Sequence, residues 1–237
     1  MFQTDPFALI VLFVGLSLLP FVAMVATSYL KIVVVVSLIR NALGIQSIPP
    51  NMVVNALAMM LTFYIMAPMM EESWTSIKES QKAMAASASV QAAGAQTPGA
   101  QASSPSLLSG FDLEKAAEPF RDFLSKHTSD KERLFFVHTA ERLWAKDPDT
   151  PAVVDHDSFY ILIPSFCVSE LTKAFQIGFL VYLPFIAIDI IVSNILLAMG
   201  MMMVSPVTIS LPFKLLLFVM VDGWTLLIQG LVRGYLI

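Results

Sequence analysis

The sequence predicts an all-α integral membrane protein of helical hairpins with broken helices and a small helical extramembrane region, and three observations lead there. Hydrophobic residues make up 57% of the chain and charged residues only 14%, against about 45–50% and about 25% in soluble domains. Residues 6–30, 41–70 and 190–213 carry no charge, and each run reaches the roughly 20 residues that an apolar helix needs to cross a bilayer. Most of the charges gather in the middle, where residues 71–157 hold 14 acidic and 9 basic side chains and account for the acidic balance behind the net charge of -4.

The amino terminus has Asp5 where a secretory signal needs positive charge, and no small-x-small cleavage site follows. The first segment is therefore expected to be a retained membrane helix. Pro6 sits where a helix tolerates a missing amide donor, and the apolar run begins at Phe7. Carried to residue 39, that helix would be close to 50 Å long at about 1.5 Å per residue, longer than the hydrocarbon core. Either Lys31 snorkels to an interface or the helix projects beyond the membrane.

Residues 41–51, NALGIQSIPPN, read as a connection, because Gly44 is permissive and Pro49 and Pro50 disfavour helix at the residues before them. A second helix follows over 52–67, with Pro68 weakening its end. Residues 1–70 thus make an N-terminal hydrophobic hairpin. Lys31 and Arg40 bracket its turn with no acid between them, which places that turn in the cytoplasm and residue 71 on the other side.

Residues 71–157 form the polar extramembrane region. Residues 83–109, rich in alanine and serine, bury too little apolar area to offset the entropy of ordering and read as a flexible spacer. Short helices are expected over 112–145. Leu113, Ala116, Phe120, Phe123 and Leu124 recur at helical spacing, although Pro119 interrupts them. Ser129 and Glu132 make a candidate capping box at the start of the next helix.

Residues 158–237 form a C-terminal hydrophobic hairpin and final helix with six charges: Glu170, Lys173, Asp189, Lys214, Asp222 and Arg233. Prolines 164, 184, 206 and 212 predict shorter or broken helices. One rises over 165–189, residues 190–203 continue or return, and a last helix runs over 213–232. Broken backbone at membrane depth is tolerated where protein or a wet cavity surrounds it.

Two groups of residues are candidates for function. Glu170, Lys173, Asp189, Lys214 and Asp222 are possible intramembrane polar contacts, and Glu170 and Lys173 form an i,i+3 pair. They either fix assembly or line a conduction path; a proton relay is disfavoured because the acids do not stack along one face. Met201, Met202 and Met203, between Gly200 and Pro206, are ordinary packing residues or a flexible apolar constriction that gates by excluding water.

Catalytic and metal motifs do not emerge. His127, His138 and His156 are scattered, Cys167 is the sole cysteine, and neither HExxH nor a glycine-rich phosphate loop occurs. A Cys167 and His156 dyad is outweighed by a packing cysteine and a surface histidine. The acidic balance argues against nucleic acid. No cofactor is expected, and the chain is not expected to be an enzyme.

The stretches TSYLKIVVVVSLIRNALGIQSIPPNMVVNALAMMLTFYIMAPM at 27–69 and IPSFCVSELTKAFQIGFLVYLPFIAIDIIVSNILLAMGMMMVSPVTISLPFKLLLFVMVDGWTLLIQGLV at 163–232 resemble the SctR/FliP family of core export-apparatus proteins of type III secretion systems. The resemblance covers about half the chain. Missing signal features, Ser205 with Pro206 where flagellar members commonly have two prolines, and VSNILLA at 192–198 resemble the injectisome branch more than the flagellar one. The resemblance implies a multi-pass protein of the bacterial inner membrane, a ring of five copies joined by SctS-like and SctT-like subunits, and a large export-gate protein nearby. Unfolded secreted polypeptides would pass through the centre, and the assembled complex would hold the hairpins largely above the usual membrane plane, with lipid around the hydrophobic surface. It also maps the family's methionine-rich constriction onto Met201, Met202 and Met203, with Gly200 and Pro206 shaping the loop. The alternative is a structural scaffold whose pore is formed mainly by partner subunits.

Overall fold

The computed structural model describes residues 6–45, 48–94, 113–145 and 153–236. Eight helices account for most of them: α1 (Pro6–Val25), α2 (Tyr29–Ala42), α3 (Asn51–Gly94), α4 (Leu113–His127), α5 (Asp130–Leu143), α6 (Phe159–Ala198), α7 (Pro206–Met220) and α8 (Gly223–Arg233). No strand occurs among the described residues.

The single long first helix expected from sequence is broken. α1 and α2 meet at residues 26–28, and the axes before and after the break differ by 54°. Neither proline nor glycine stands there. The Thr27 hydroxyl donates to the Ala23 carbonyl at 2.7 Å and accepts from the Tyr29 N–H at 3.4 Å, so a side chain competes with the helix ladder for backbone partners. The break turns Lys31 inward. It is only 2% exposed, which replaces both the snorkelling and the projecting expectation: an ion pair with Glu170 holds it between helices.

α2 is the spine of the core. Its residues Ile32, Val35, Val36 and Ile39 are buried against Val54 and Ala58 of α3, Ala174 and Phe185 of α6, and Phe218 of α7. Small residues let α2 and α6 approach closely, as in membrane helix pairs generally. A Cβ added at Gly178 of α6 would lie 2.3 Å from Leu38 Cδ1. The end of α2 is closed by Gly44 at φ +79°, with Gly44 N–H donating to Asn41 O at 3.1 Å and Ile45 N–H to Arg40 O at 3.3 Å. This is the paired bonding of a Schellman stop, which requires a left-handed residue that glycine supplies without a Cβ clash. Arg40 then fastens the connection by donating to Pro49 O at 3.2 Å and Asn51 Oδ1 at 2.5 Å.

Several expected proline breaks do not occur. α3 continues through Pro68 and reaches Gly94, so residues 83–94 of the stretch read as a flexible spacer are helical; residues 95–112 lie outside the described residues. α4 continues through Pro119, and α6 through Pro164 and Pro184. At about 1.5 Å per residue, α6 is roughly 60 Å long, about twice the hydrocarbon core. A proline removes one ladder bond, but ending the helix would free several backbone groups, which is more costly where water cannot replace them. Of the two readings for residues 190–203, continuation holds as far as Ala198, and the chain turns at 199–205.

The final helix is split where the sequence predicts continuity. α7 begins at Pro206, earlier than expected, and α8 leaves it at 60° after Asp222, whose φ is +51°. The next residue permits the bend because a side chain at Gly223 would strike the Phe218 ring, with Cε2 2.3 Å from the added Cβ. α4 and α5 pack on the start of α6. Leu124 joins Leu162 and Phe166 in one cluster, and Val137 and Ala140 join Ile161 in another. The polar middle and the apolar carboxyl-terminal part therefore share a core. Among the described residues two helices are long and apolar enough to cross a membrane, or up to four spans if each bent pair is counted as one.

Candidate functional site

Two knots of charge hold the helices, the first buried and the second half-buried, and one exposed turn caps the α6–α7 hairpin. The first knot is built on Glu170 of α6, which is fully buried. Lys31 of α2 lies 2.9 Å from its Oε2 and Lys173 lies 3.1 Å from its Oε1. The Tyr235 hydroxyl donates to Oε2, while the Lys31 ammonium sits 3.7 Å above the centre of the Tyr235 ring. Burial, reinforced by the neighbouring carboxylate, pushes the Tyr235 phenol up from its ordinary value; it therefore stays a donor at physiological pH.

Lys173 extends this knot to α4 by donating to the His127 carbonyl at 2.7 Å, at that helix's carboxyl end. A cation there meets exposed carbonyls and the favourable end of the helix dipole. The His127 ring lies between Phe123 O, 2.9 Å from Nδ1, and Tyr235 O, 3.4 Å from Nε2. The Ser129 N–H donates to Ser169 Oγ at 2.9 Å. Ser129 does occupy the N-cap of α5, but it forms no side-chain capping bond. Its N–H is committed to α6, so the expected reciprocal capping box is replaced by a tie between helices.

The second knot is built on Asp189. Lys214 of α7 lies 2.6 Å from Asp189 Oδ2, and the Ser210 hydroxyl donates to Oδ1 at 2.6 Å. Lys214 also donates to the carbonyl of Ala42, the last residue of α2, at 3.2 Å. Each α6 acid is thus paired with a lysine, and in each knot one lysine closes the carboxyl end of a helix. Asp222 stands apart from both knots: it is exposed, with no side-chain hydrogen bond or ion pair among the described residues.

Residues 199–205 join α6 to α7. Gly200 has φ +74°, with Gly200 N–H donating to Leu197 O at 3.0 Å and Met201 N–H to Leu196 O at 2.9 Å. These paired bonds end α6 as a Schellman stop. Ser205 is extended at the N-cap of α7 and Pro206 occupies its first turn, where a fixed φ and missing donor are harmless. The turn presents Met201, Met202 and Met203 at 41%, 82% and 101% exposure.

Lys31, Tyr235, Ser169 and Ser210 complete these knots and were not singled out as partners by sequence. A lone cation in an apolar run was a signal for Lys31; spacing alone could not identify the distant Glu170 as its partner. The half-buried Cys167 and exposed His156 make no hydrogen bond to one another. Among the described residues no group of three His, Cys, Asp or Glu side chains is placed to hold a metal.

Helices of spanning length, tied internally by ion pairs and carrying broad apolar outer faces, define an integral membrane helical protein. Residues 12–231 match the model of the FliP family, and the chain belongs to that family. It is 46% identical over 231 residues to the Yop proteins translocation protein R of Yersinia pestis, with 98% of this chain and 97% of that protein covered. It is also 45% identical over 228 residues to the hypersensitivity response secretion protein HrcR of Ralstonia nicotianae, covering 96% of each. A virulence protein YscR of Salmonella typhimurium is 46% identical over 234 residues, covering 98% of this chain and 97% of that protein.

Proposed function

We infer that this chain is a core subunit of a type III secretion export gate and forms part of the channel through which unfolded proteins cross the bacterial inner membrane. Its near full-length similarity to proteins named for translocation and secretion supports the general role. In this reading the chain acts as an apparatus component in a multi-subunit complex rather than as an enzyme. It is multi-pass, forms a ring of five copies, and meets SctS-like and SctT-like subunits and the large export-gate protein. Residues 1–70 and 158–237 supply the hydrophobic hairpins, and 71–157 the extramembrane region.

The observation that carries the channel reading is the turn at 199–205. Its backbone is fixed at both ends, while three long, unbranched apolar side chains project outward. Repeated around a ring, such side chains exclude water and ions yet yield to a passing polypeptide. Gly200 and Pro206 shape that loop. The buried acids and lysines hold the helices that carry it; they do not line the path.

Replacing Met201, Met202 and Met203 together with alanine tests this reading. The altered side chains stay apolar but become shorter, so the closed complex is expected to conduct ions while retaining its subunit composition. Conductance of reconstituted complexes at equal abundance is the measurement. A variant as tight as the parent would favour the scaffold reading, with the pore closed by partner subunits.

A further inference from the structure

We propose that Lys214 is a positioning residue for the methionine turn: by joining Asp189 to the end of α2, it fixes the tip of the α6–α7 hairpin against the buried core. The consequence for sealing rests on the constriction reading above, whereas the mechanical claim does not.

Three observations converge on Lys214. First, it is the place where both arms of the hairpin meet α2. Its ammonium lies 2.6 Å from Asp189 Oδ2 on α6 and 3.2 Å from Ala42 O on α2, and its own residue is only 4% exposed. Second, it stands close to the tip. Asp189 precedes the end of α6 by nine residues and Lys214 follows the start of α7 by eight, which is about 12–14 Å along either helix. Third, the arms are loosely joined beyond it. Between the knot and the turn, Ile191, Ile195, Ile209 and Phe213 are all exposed and line an open apolar groove on the surface of the hairpin. Apart from the Ser210 hydrogen bond to Asp189, which belongs to the same knot, no side-chain hydrogen bond or ion pair among the described residues joins the arms nearer the tip.

The physical consequence follows from this spacing. Apolar contacts carry little directional preference, so they do not by themselves fix how one arm sits along the other. A charge-assisted hydrogen bond imposes both distance and direction. Lys214 imposes them twice, once toward α6 and once toward α2. Ser210, one turn earlier on α7, fixes the second oxygen of Asp189 and prevents the carboxylate from turning away. The turn therefore inherits its position from α2, the most deeply packed helix, although it touches none of that helix's core residues.

The test uses the full complex, with the labelled chain diluted into unlabelled chain and Cys167→Ser removing the native thiol. Spin labels are placed at Asn41→Cys and Met199→Cys, both exposed positions, leaving the three candidate constriction methionines intact. In the parent the inter-label distance distribution is narrow. Lys214→Met keeps a long side chain but removes both polar ties, and is expected to broaden that distribution about twofold as the hairpin tip gains local freedom. Lys214→Arg keeps the charge and restores the narrow distribution.

An unchanged distribution in Lys214→Met overturns the proposal whatever the conductance. Broadening together with ion leakage supports both the proposal and the constriction reading. Broadening without leakage supports the positioning role while counting against the methionines as the seal. If Lys214→Met does not assemble, Lys214→Gln is measured in its place, since it removes the ion pair with Asp189 while keeping a polar side chain that can donate; a partial broadening supports the proposal and an unchanged distribution overturns it.

Discussion

Glu170 and Asp189 lie on the same helix, about 28 Å apart along its axis, yet their surroundings differ. Glu170 is fully buried and receives Lys31, Lys173 and Tyr235 from three parts of the chain. Asp189 has a side chain that is 36% exposed and receives only groups of α7. The first knot closes the body of the protein, where one lost partner leaves a charge stranded away from water. The second closes a hairpin, where the chain covers the carboxylate only in part. Similar pairs thus serve stability at one end of α6 and placement at the other.

The largest effect is expected from Glu170→Gln. It leaves Lys31 charged, buried and without its carboxylate, a change that typically costs about 3–5 kcal/mol. Thermal unfolding of the detergent-solubilised complex should show marked loss of stability, together with poor assembly. A stability close to the parent's would remove the distinction between the two knots.

Tyr235→Phe should come next. The ring stays beneath the Lys31 ammonium, so the cation–π contact survives while the hydrogen bond to Glu170 is lost. Bonds to charged groups contribute roughly 1.5–3 kcal/mol, and the same unfolding measurement should show that intermediate loss. If Tyr235→Phe equals Glu170→Gln in effect, the phenol rather than the lysines dominates the knot. The stability loss in Lys214→Met should be the smallest of the three, because half-exposed Asp189 keeps the Ser210 hydrogen bond; its main effect is on the distance distribution.

The sequence was most informative about class and least informative about where helices end. Uncharged runs at 6–30, 41–70 and 190–213 reveal the membrane class, since the bilayer sets a length that composition can show, yet each run also contains a break or turn between helices. Pro68, Pro119, Pro164 and Pro184 were read as interruptions, but each lies inside a helix. The actual stops are made by Thr27, by left-handed Gly44 and Gly200, and by Asp222, through backbone conformations that depend on the packing around them. Gly44 and Gly200 were recognisable as turn residues. Asp222 was not, because it is a charged residue within an otherwise apolar stretch.

The same limit applies to the candidate site. Glu170, Lys173, Asp189 and Lys214 stood out as charges in apolar segments, which require partners or water. Which acid meets which lysine depends on the crossing of α2, α6 and α7, and local spacing contains no such information. The i,i+3 relation of Glu170 and Lys173 is the exception, and that pair is present. Tyr235 gave no signal, being one aromatic residue in an apolar carboxyl terminus.

Whether a secreted chain passes beside the methionine turn, as proposed, can be measured by crosslinking to a substrate stalled during export. With Cys167→Ser as background, Met202→Cys provides a thiol at the centre of the turn, and Trp144→Cys provides an exposed control at the end of α5. A stalled polypeptide carrying a single cysteine should be captured by Met202→Cys, and not by Trp144→Cys, when a short bifunctional thiol reagent is added to assembled complexes. Capture at Trp144→Cys with none at Met202→Cys, in complexes of unchanged composition, would contradict a channel path past this turn.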